Sequence, residues 1–460
     1  MNSAMVPAKT KTRGLMQPAF IRLWLSETVM DFGAALMSFA LGVWIFQNTG
    51  SPERFAWAVL AAAIPALIMT PLAGALADRF NRRWVILGCD LLSIVMVLAL
   101  MILMSMNILA VKYLYAFNAV SALINTMRTP AYQAAVSTIV PNNKLTQASG
   151  LIGLSQSVLQ IVAPLIAGFV VGRYGIGTII SLNMLMVIAA ALAAFSGLSR
   201  AKYALVGVKN TAGASLAYSV KNSFTAMLDY FGRYRLMLGA AGYTFFQDSL
   251  LMLVTAMLVP FVLSTHSSAT LGLVLACGAV GGVSGSLLLV TSSINSRLMV
   301  RVMQADFFLA LLIILIGFSS SALVWSLCAF LAFFFGSISS ACTQAIWMKK
   351  TPEAVRGSVL AWITSANLFG MCIATLTGGV LSERVFEPAL SHGGAWSETL
   401  GLWVGTGPGR GLGLLFMLSG SIGCAIALIA WINGRLPRLD GHIPDAEATA
   451  GTSALPGDNQ

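Results

Sequence analysis

Long apolar stretches recur along the chain, separated by short polar breaks. Read against those breaks, they place spans near 19–47, 54–77, 84–106, 111–131, 147–171, 176–197, 236–264, 269–291, 301–320, 322–347, 357–382 and 411–433. Each reaches roughly the 20 residues a helix needs to cross a hydrocarbon core. None reads as the alternating ten-residue segment of a membrane barrel strand. The pattern predicts an all-α polytopic membrane protein with twelve transmembrane helices, the first made less apolar than the rest by Glu27 and Asp31.

Composition agrees: 57% of residues are hydrophobic, only 9% are charged, and the mean hydropathy is +0.83. A soluble domain carries about 25% charged residues. The net charge of +11 is accounted for by topology. With the N-terminus in the cytoplasm, 22 of the 27 Lys and Arg residues fall on the cytoplasmic side, leaving only Arg54, Lys112, Arg173, Arg384 and Arg410 outside. That is the distribution the positive-inside rule requires, with both termini cytoplasmic. Contact with anionic lipid absorbs the basic excess, so no nucleic-acid partner is expected.

Lys9, Lys11 and Arg13 precede the first span. No small-residue cleavage site follows, so that span is expected to stay attached rather than act as a signal peptide. The six cysteines lie in apolar segments without metal-binding spacing and are expected to be buried free thiols. No metal or cofactor is expected.

The chain also repeats itself. Val140-Pro141, the segment Ala163-Pro164-Leu165-Ile166-Ala167-Gly168 and Arg173 recur 211 residues later as Thr351-Pro352, Ala374-Thr375-Leu376-Thr377-Gly378-Gly379 and Arg384. Gly74 maps onto Gly285 by the same shift. Two six-helix bundles of one ancestry follow, at 1–198 and 236–433, with a cytoplasmic connector at 199–235 and a tail at 434–460. Such repeats belong to transporters whose halves rock about a midplane site.

Between the second and third spans lies Gly74-Ala75-Leu76-Ala77-Asp78-Arg79-Phe80-Asn81-Arg82-Arg83, a charge cluster in a charge-poor chain. It resembles motif A of the major facilitator superfamily, Gly-x-Leu-x-Asp-Arg-x-x-Arg-Arg. Thr49-Gly50-Ser51, Pro130-Ala131 and the layout of residues 18–433 resemble that superfamily's macrolide-efflux and siderophore-exporter branch. The 163–168 segment is similar to the Gly-Pro-x-x-Gly-Gly core of motif C, two of whose glycines are alanines here. Gly150, Pro164 and Gly168 are the positions it assigns to antiport. The resemblance implies a twelve-helix fold of two pseudo-symmetric bundles and export across a bacterial inner membrane by a monomer. It also places Asp78 near Gly357 and Ser358, where a helix N-terminus would hold an acid as a latch. Gly74 belongs to this gating motif, and Arg79, Arg82 and Arg83 would fix the loop through hydrogen bonds and lipid phosphates.

No Gly-Lys pair occurs, so the chain has no Walker A loop for ATP. An ion gradient is the expected energy source. The histidines fall in loops or the tail, which leaves carboxylates to carry protons: Glu27 and Asp31 on one face of the first span, and Asp248 on the seventh. Asp31 lies about 15 Å from the cytoplasmic start of its span. An acid at that depth needs water, a cation or a partner. Arg128 is the expected cation, and Asp90 and Asp306 are expected to pair with nearby arginines as scaffold.

A path for hydrophobic molecules would use aromatic surface, and Trp24, Trp44, Tyr243, Phe245, Phe246 and Trp362 are the candidate liners. The glycines from Gly278 to Gly285 predict close helix packing. Gly282-Val283-Ser284-Gly285 also matches the Gly-x-Ser-Gly of intramembrane serine hydrolases, though no histidine falls inside a span to activate the serine. The connector at 213–235 is expected to lie as an interfacial helix. The outer loop near 383–410 is long and turn-rich.

Overall fold

The computed structural model describes residues 18–79, 81–140, 145–200, 216–291, 297–391 and 393–443. The first half is built from α1 (Pro18–Thr49), α2 (Pro52–Arg79), α3 (Arg82–Ser105), α4 (Val111–Ile139), α5 (Leu145–Tyr174) and α6 (Ile176–Arg200). A connector helix, α7 (Leu216–Arg233), leads to α8 (Arg235–Leu263), α9 (Ser268–Thr291), α10 (Leu298–Phe318), α11 (Ala322–Lys350) and α12 (Glu353–Leu381). A wide π-type turn, Ser382–Phe386, and two single-turn helices, α13 (Glu387–Leu390) and α14 (Gly401–Val404), precede α15 (Arg410–Ile432) and the short α16 (Leu439–His442).

The breaks between helices have local causes. Gly50 (φ +62°) and Gly175 (φ +77°) reverse the chain between α1 and α2 and between α5 and α6, in a left-handed conformation that an L side chain resists. Asn81 caps α3 by accepting from the Arg83 amide at 3.1 Å. Among the described residues eleven helices are long and apolar enough to cross a membrane. The twelfth, α4, falls short because it carries Asn118, Asn125 and Arg128, polar groups that its packing turns inward.

Elsewhere the helices present apolar surface outward. Leu91, Val95, Leu98 and Ile102 form one exposed stripe on α3, while Ile86, Asp90, Val97 and Leu100 are buried on the other side. That is the inversion expected of a helix facing lipid. All six cysteines are free thiols; Cys277, Cys372 and Cys424 are only partly buried.

The cores reveal how the halves meet. One cluster runs through both halves at the end far from the chain termini, joining Leu36, Leu41, Ala167 and Ile180 to Met257, Leu271, Ile313 and Phe416. At the terminal end there are two clusters instead. Phe20, Leu23, Tyr132 and Leu198 form one within the first half, and Met237, Met299, Ile346 and Leu439 form the other within the second. The described halves are thus fused at the far end and separate at the terminal end, leaving a cleft open toward the termini.

Backbone contact makes the far seam tight. A methyl on Gly168 of α5 would sit 2.6 Å from the Ser268 carbonyl oxygen and 3.1 Å from the Gly272 Cα on α9. Its repeat partner, Gly379 on α12, stands against α2, where a methyl would lie 2.7 Å from Ala56 Cβ and 3.1 Å from the Pro52 oxygen. Each half therefore offers a glycine to the second helix of the other, as a pseudo-two-fold repeat requires. Above this seam Arg384 grips Glu53 through two hydrogen bonds of 2.7 and 2.8 Å, and Glu383 accepts from the Ser51 hydroxyl and from the Glu53 amide at 3.0 Å. Glu387 accepts from the Leu412 amide at 3.3 Å, and Arg410 donates to Ser320. Glu383 and Arg384, just past α12, thus fasten the second half to the first, while Glu387 and Arg410 hold the rest of the loop to α15 and to Ser320 within the second half.

Within the second half, the predicted glycine packing is present: α9 lies so close to α11 that a Gly281 side chain would meet the Phe330 backbone carbon at 2.7 Å. The predicted connector helix forms over Leu216–Arg233; among its described side chains part of the apolar surface docks on protein, while Phe224 and Leu228 remain exposed. Phe224 stacks against Trp362 with ring centroids 4.9 Å apart, and Tyr230 and Phe231 are buried in the terminal cluster of the second half.

Gly281→Val should overpack this contact by about 1–3 kcal/mol, lowering the midpoint of thermal unfolding in detergent. Gly153→Ala, in the interior of α5 with open space around it, should leave that midpoint unchanged or raise it slightly.

Candidate functional site

Polar groups at membrane depth are expensive, so where they gather is informative. In the first half they gather on Arg128 of α4. Its Nε donates to Asp90 Oδ1 of α3 at 2.8 Å, its Nη1 to the Glu27 carboxylate of α1, and its Nη2 to Ser26 Oγ at 3.5 Å. Ser26 in turn donates to the Ala190 carbonyl on α6 at 2.8 Å. Arg128 is 2% exposed, and both of its acids are buried. One guanidinium on α4 thus pins α1 and α3, and Ser26 carries the tie on to α6.

This corrects two expectations about the acids. Arg128 hydrogen-bonds Glu27 and Asp90, not Asp31, because it meets α1 one turn nearer the terminal end. Asp31 is half-buried on the same face and makes no hydrogen bond among the described residues, though it lies within electrostatic reach of Arg128. Asp90 does pair with an arginine, as expected. Asp306 does not: its carboxylate accepts from Tyr243 Oη at 2.9 Å and Ser339 Oγ at 2.5 Å.

In the second half Asp248 and Asp306 line one cavity of about 600 Å³. Asp248 Oδ2 accepts from Asn367 Nδ2 at 3.0 Å, and Gln247 spans to the Gly423 carbonyl at 3.0 Å. Ser340, Thr343, Gln344 and Thr364 complete the polar wall; Trp347, Leu360 and Met371 supply apolar surface. These residues went unnoticed in the sequence, yet the signal was there. Thr244, Gln247, Asp248, Leu251 and Met252 share one face of α8, and Ser339, Ser340, Thr343 and Gln344 form a polar stripe on otherwise apolar α11. A smaller cavity, about 210 Å³, is lined in the first half by Ser38, Asn118, Ser121, Asn125 and Asn183.

The six expected aromatic liners border neither cavity. Trp24 donates to Ser155 on α5 at 3.0 Å, Tyr243 is held by Asp306, and Trp362 packs on the connector. Phe245 stands against Gly370, Phe246 is exposed, and Trp44 borders a separate cavity at the far end. Tyr243, five residues before Asp248, turns about 140° away from it around the helix at about 100° per residue, while Phe245, three residues before, is taken up by its packing against Gly370 of α12.

In the gating motif, Gly74, Asp78 and Arg79 belong to the last turns of α2, but the side chains of Asp78 and Arg79 lie outside the described residues, as does the Asp78 latch. Arg82 donates to Thr138 at 2.6 Å, fastening α3 to the end of α4. Arg83 spreads over the Trp84 and Phe195 rings at 5.8 and 5.7 Å. Of the antiport positions, Pro164 and Gly168 form the far seam, since a Gly272 side chain would strike the Pro164 carbonyl oxygen. Gly150 is in α5, in a turn whose side chains are not described. Ser284 spends its hydroxyl on the carbonyls of Val280 (2.6 Å) and Gly281 (3.1 Å) of its own helix, as an unactivated serine does.

Two helical halves around a cleft, fused at one end and lined with acids, define a multi-pass membrane transport fold. The chain belongs to the Major Facilitator Superfamily, whose family model matches residues 23–375. As a member of a transporter family it is not an enzyme. It is 25% identical over 173 residues to macrolide efflux protein A of Streptococcus pyogenes, and 26% identical over 133 residues to the protein of that name from Enterococcus faecalis. The first match covers 38% of this chain and 43% of the relative, the second 29% and 41%. The chain thus spans less than half the length of these curated relatives. Among solved structures, the fold is similar to a peptide transporter of the POT type (TM-score 0.69, 14% identity, 93% of this chain and 97% of that one). It is also similar to a bacterial homologue of the iron transporter ferroportin in an inward-facing state (TM-score 0.66, 14% identity, 91% and 99%).

Arg128→Met would leave two acids buried without their cation. It should cost about 3–5 kcal/mol, read as a fall in the thermal unfolding midpoint. Adding Glu27→Gln and Asp90→Asn to it should recover most of that loss. A single variant as stable as the parent would show that the guanidinium does not hold these helices.

Proposed function

We propose that the chain is a secondary active transporter that exports hydrophobic small molecules across the bacterial inner membrane by proton antiport with alternating access, working as a monomer in contact with membrane lipids. One observation carries this reading: acids at membrane depth face a cleft that is open at one end and sealed at the other. Arg82, Arg83, Arg235, Arg297, Lys349 and Arg435 gather at the open, terminal end, which supports a cytoplasmic placement of both termini. The open cleft is then the loading state. Export requires the far seam to part and the terminal ends to close.

Glu27, Asp31 and Asp248 are the groups assigned to proton exchange. Glu27 shares Arg128 with Asp90, so protonating either acid would leave the guanidinium matched one to one. Asp31, without a hydrogen bond among the described residues, is poised to exchange with water in the cleft. The similarity to macrolide efflux proteins supports a hydrophobic substrate and outward direction. A second reading, a dedicated siderophore or natural-product exporter, is favoured by the amide and hydroxyl groups of the second-half cavity, which suit a ligand rich in hydrogen-bonding groups.

In proteoliposomes offered a macrolide, a hydrophobic dye or a hydroxamate chelator, one of these should drive proton movement that Asp31→Asn and Asp248→Asn each reduce by at least about tenfold. Undiminished coupling in both single variants and the double would overturn proton exchange at these acids. Accumulation of only the chelator would select the second reading.

A further inference from the structure

The cavity holding Asp248 and Asp306 does not end at its polar walls. Leu251, Met252, Leu309 and Gly336 border it, and the same four border a neighbouring cavity of about 420 Å³. That second space is apolar on the side of Val254, Leu258, Ile313, Ala329 and Phe333, and reaches Ser157 and Gln160 of α5 in the other half. Together they form one elongated chamber with an acidic end and an apolar end.

Charge within the chamber is one-sided. None of the described residues lining either cavity is Lys, Arg or His, whereas two are aspartates. In the first half Glu27 and Asp90 already share Arg128, which leaves Asp31 there without a hydrogen bond among the described residues. Hydrogen bonds partly satisfy the aspartates. Asp306 has Tyr243 and Ser339, but Asp248 has Asn367 on Oδ2 alone, and its Oδ1 accepts no hydrogen bond among the described residues. A buried carboxylate calls for a cation or charged donor. Among the described residues lining the chamber the protein supplies none, and the cleft admits one from outside.

From this we infer that the chamber is a substrate site for amphiphilic cations: the positive head lies between Asp248 and Asp306, and the apolar body lies along Leu251, Leu309 and Phe333. The inference rests on the transport reading above and narrows it to a substrate class. It also divides labour between the halves, with substrate charge met in the second and the internally paired cluster kept in the first. An anionic chelator would meet two like charges in such a site and no compensating base.

Equilibrium dialysis of the full-length protein in detergent, corrected against empty micelles, tests this with two ions of one shape and opposite charge. Tetraphenylphosphonium should bind saturably and tetraphenylborate should not; tetramethylammonium, a charge without the apolar body, should bind at least about tenfold more weakly than the phosphonium. Asp248→Asn should weaken phosphonium binding by about tenfold or more, and Asp248→Glu should restore most of it. Equal binding of the two tetraphenyl ions, or parental phosphonium affinity in both Asp248→Asn and Asp306→Asn, would overturn the site. Should the neutral variants fail to fold, the ion pair on the parent protein still decides. Binding needs no gradient, so the two readings fail separately. Selective binding without proton movement would sink antiport and keep the site; proton movement without charge selectivity would do the reverse.

Discussion

The two halves touch where side chains are missing. At the far end Gly168 lies on the backbone of Ser268 and Gly272, and Gly379 lies on Pro52 and Ala56, with no room for a Cβ at either place. Lipid gives helices no hydrophobic reason to associate, so close backbone packing must do that work. Removing the side chain brings two backbones within reach of many dispersion contacts over a short length. Everything else about the molecule's shape follows from confining that contact to one end. The shared core forms around it, and the two terminal cores stay apart on the side of the chain termini.

Charge is arranged to respect this geometry. Arg384 and Glu53 pair above the seam in a largely water-exposed place, where an ion pair contributes little. Its value there is positional, since it fixes which part of α12 sits over α2. Deeper in, Arg128 with Glu27 and Asp90 carries a different weight: it lies buried between α1, α3 and α4 of one half, where losing a partner would strand a charge. Neither pair crosses the open part of the cleft. The first half can therefore move as a body without breaking its own ion pairs.

The second half leaves its acids for the cleft. Asp248 and Asp306 share a cavity with amides and hydroxyls from α8, α11 and α12, while the apolar neighbour of that cavity reaches across to α5. A ligand filling both spaces would touch both halves. That is the condition under which binding can bias their relative position, because only a ligand with different contacts in two states can shift the balance between them.

Twelve spans, the paired halves and the membrane class were legible in the chain because they depend on local properties: the length of apolar runs, the placement of Lys and Arg, and a 211-residue repeat. Glycine packing on α9 was legible for the same reason, since a small residue every three or four positions can serve few other ends. The site was legible only in its charged members. That Arg128 would choose Glu27 and Asp90 over Asp31 depends on the height at which α4 crosses α1 and α3, which no spacing within one helix encodes. That Asp306 would be held by Tyr243 and Ser339, and that Trp347 would face the cavity in place of Tyr243, Phe245 and Phe246, depends on the rotation of α8, α10 and α11 about their axes. Sequence fixes which faces a helix has; packing against neighbours decides which of them looks into the cleft, because in lipid that rotation is set by contacts between helices and not by the helix itself.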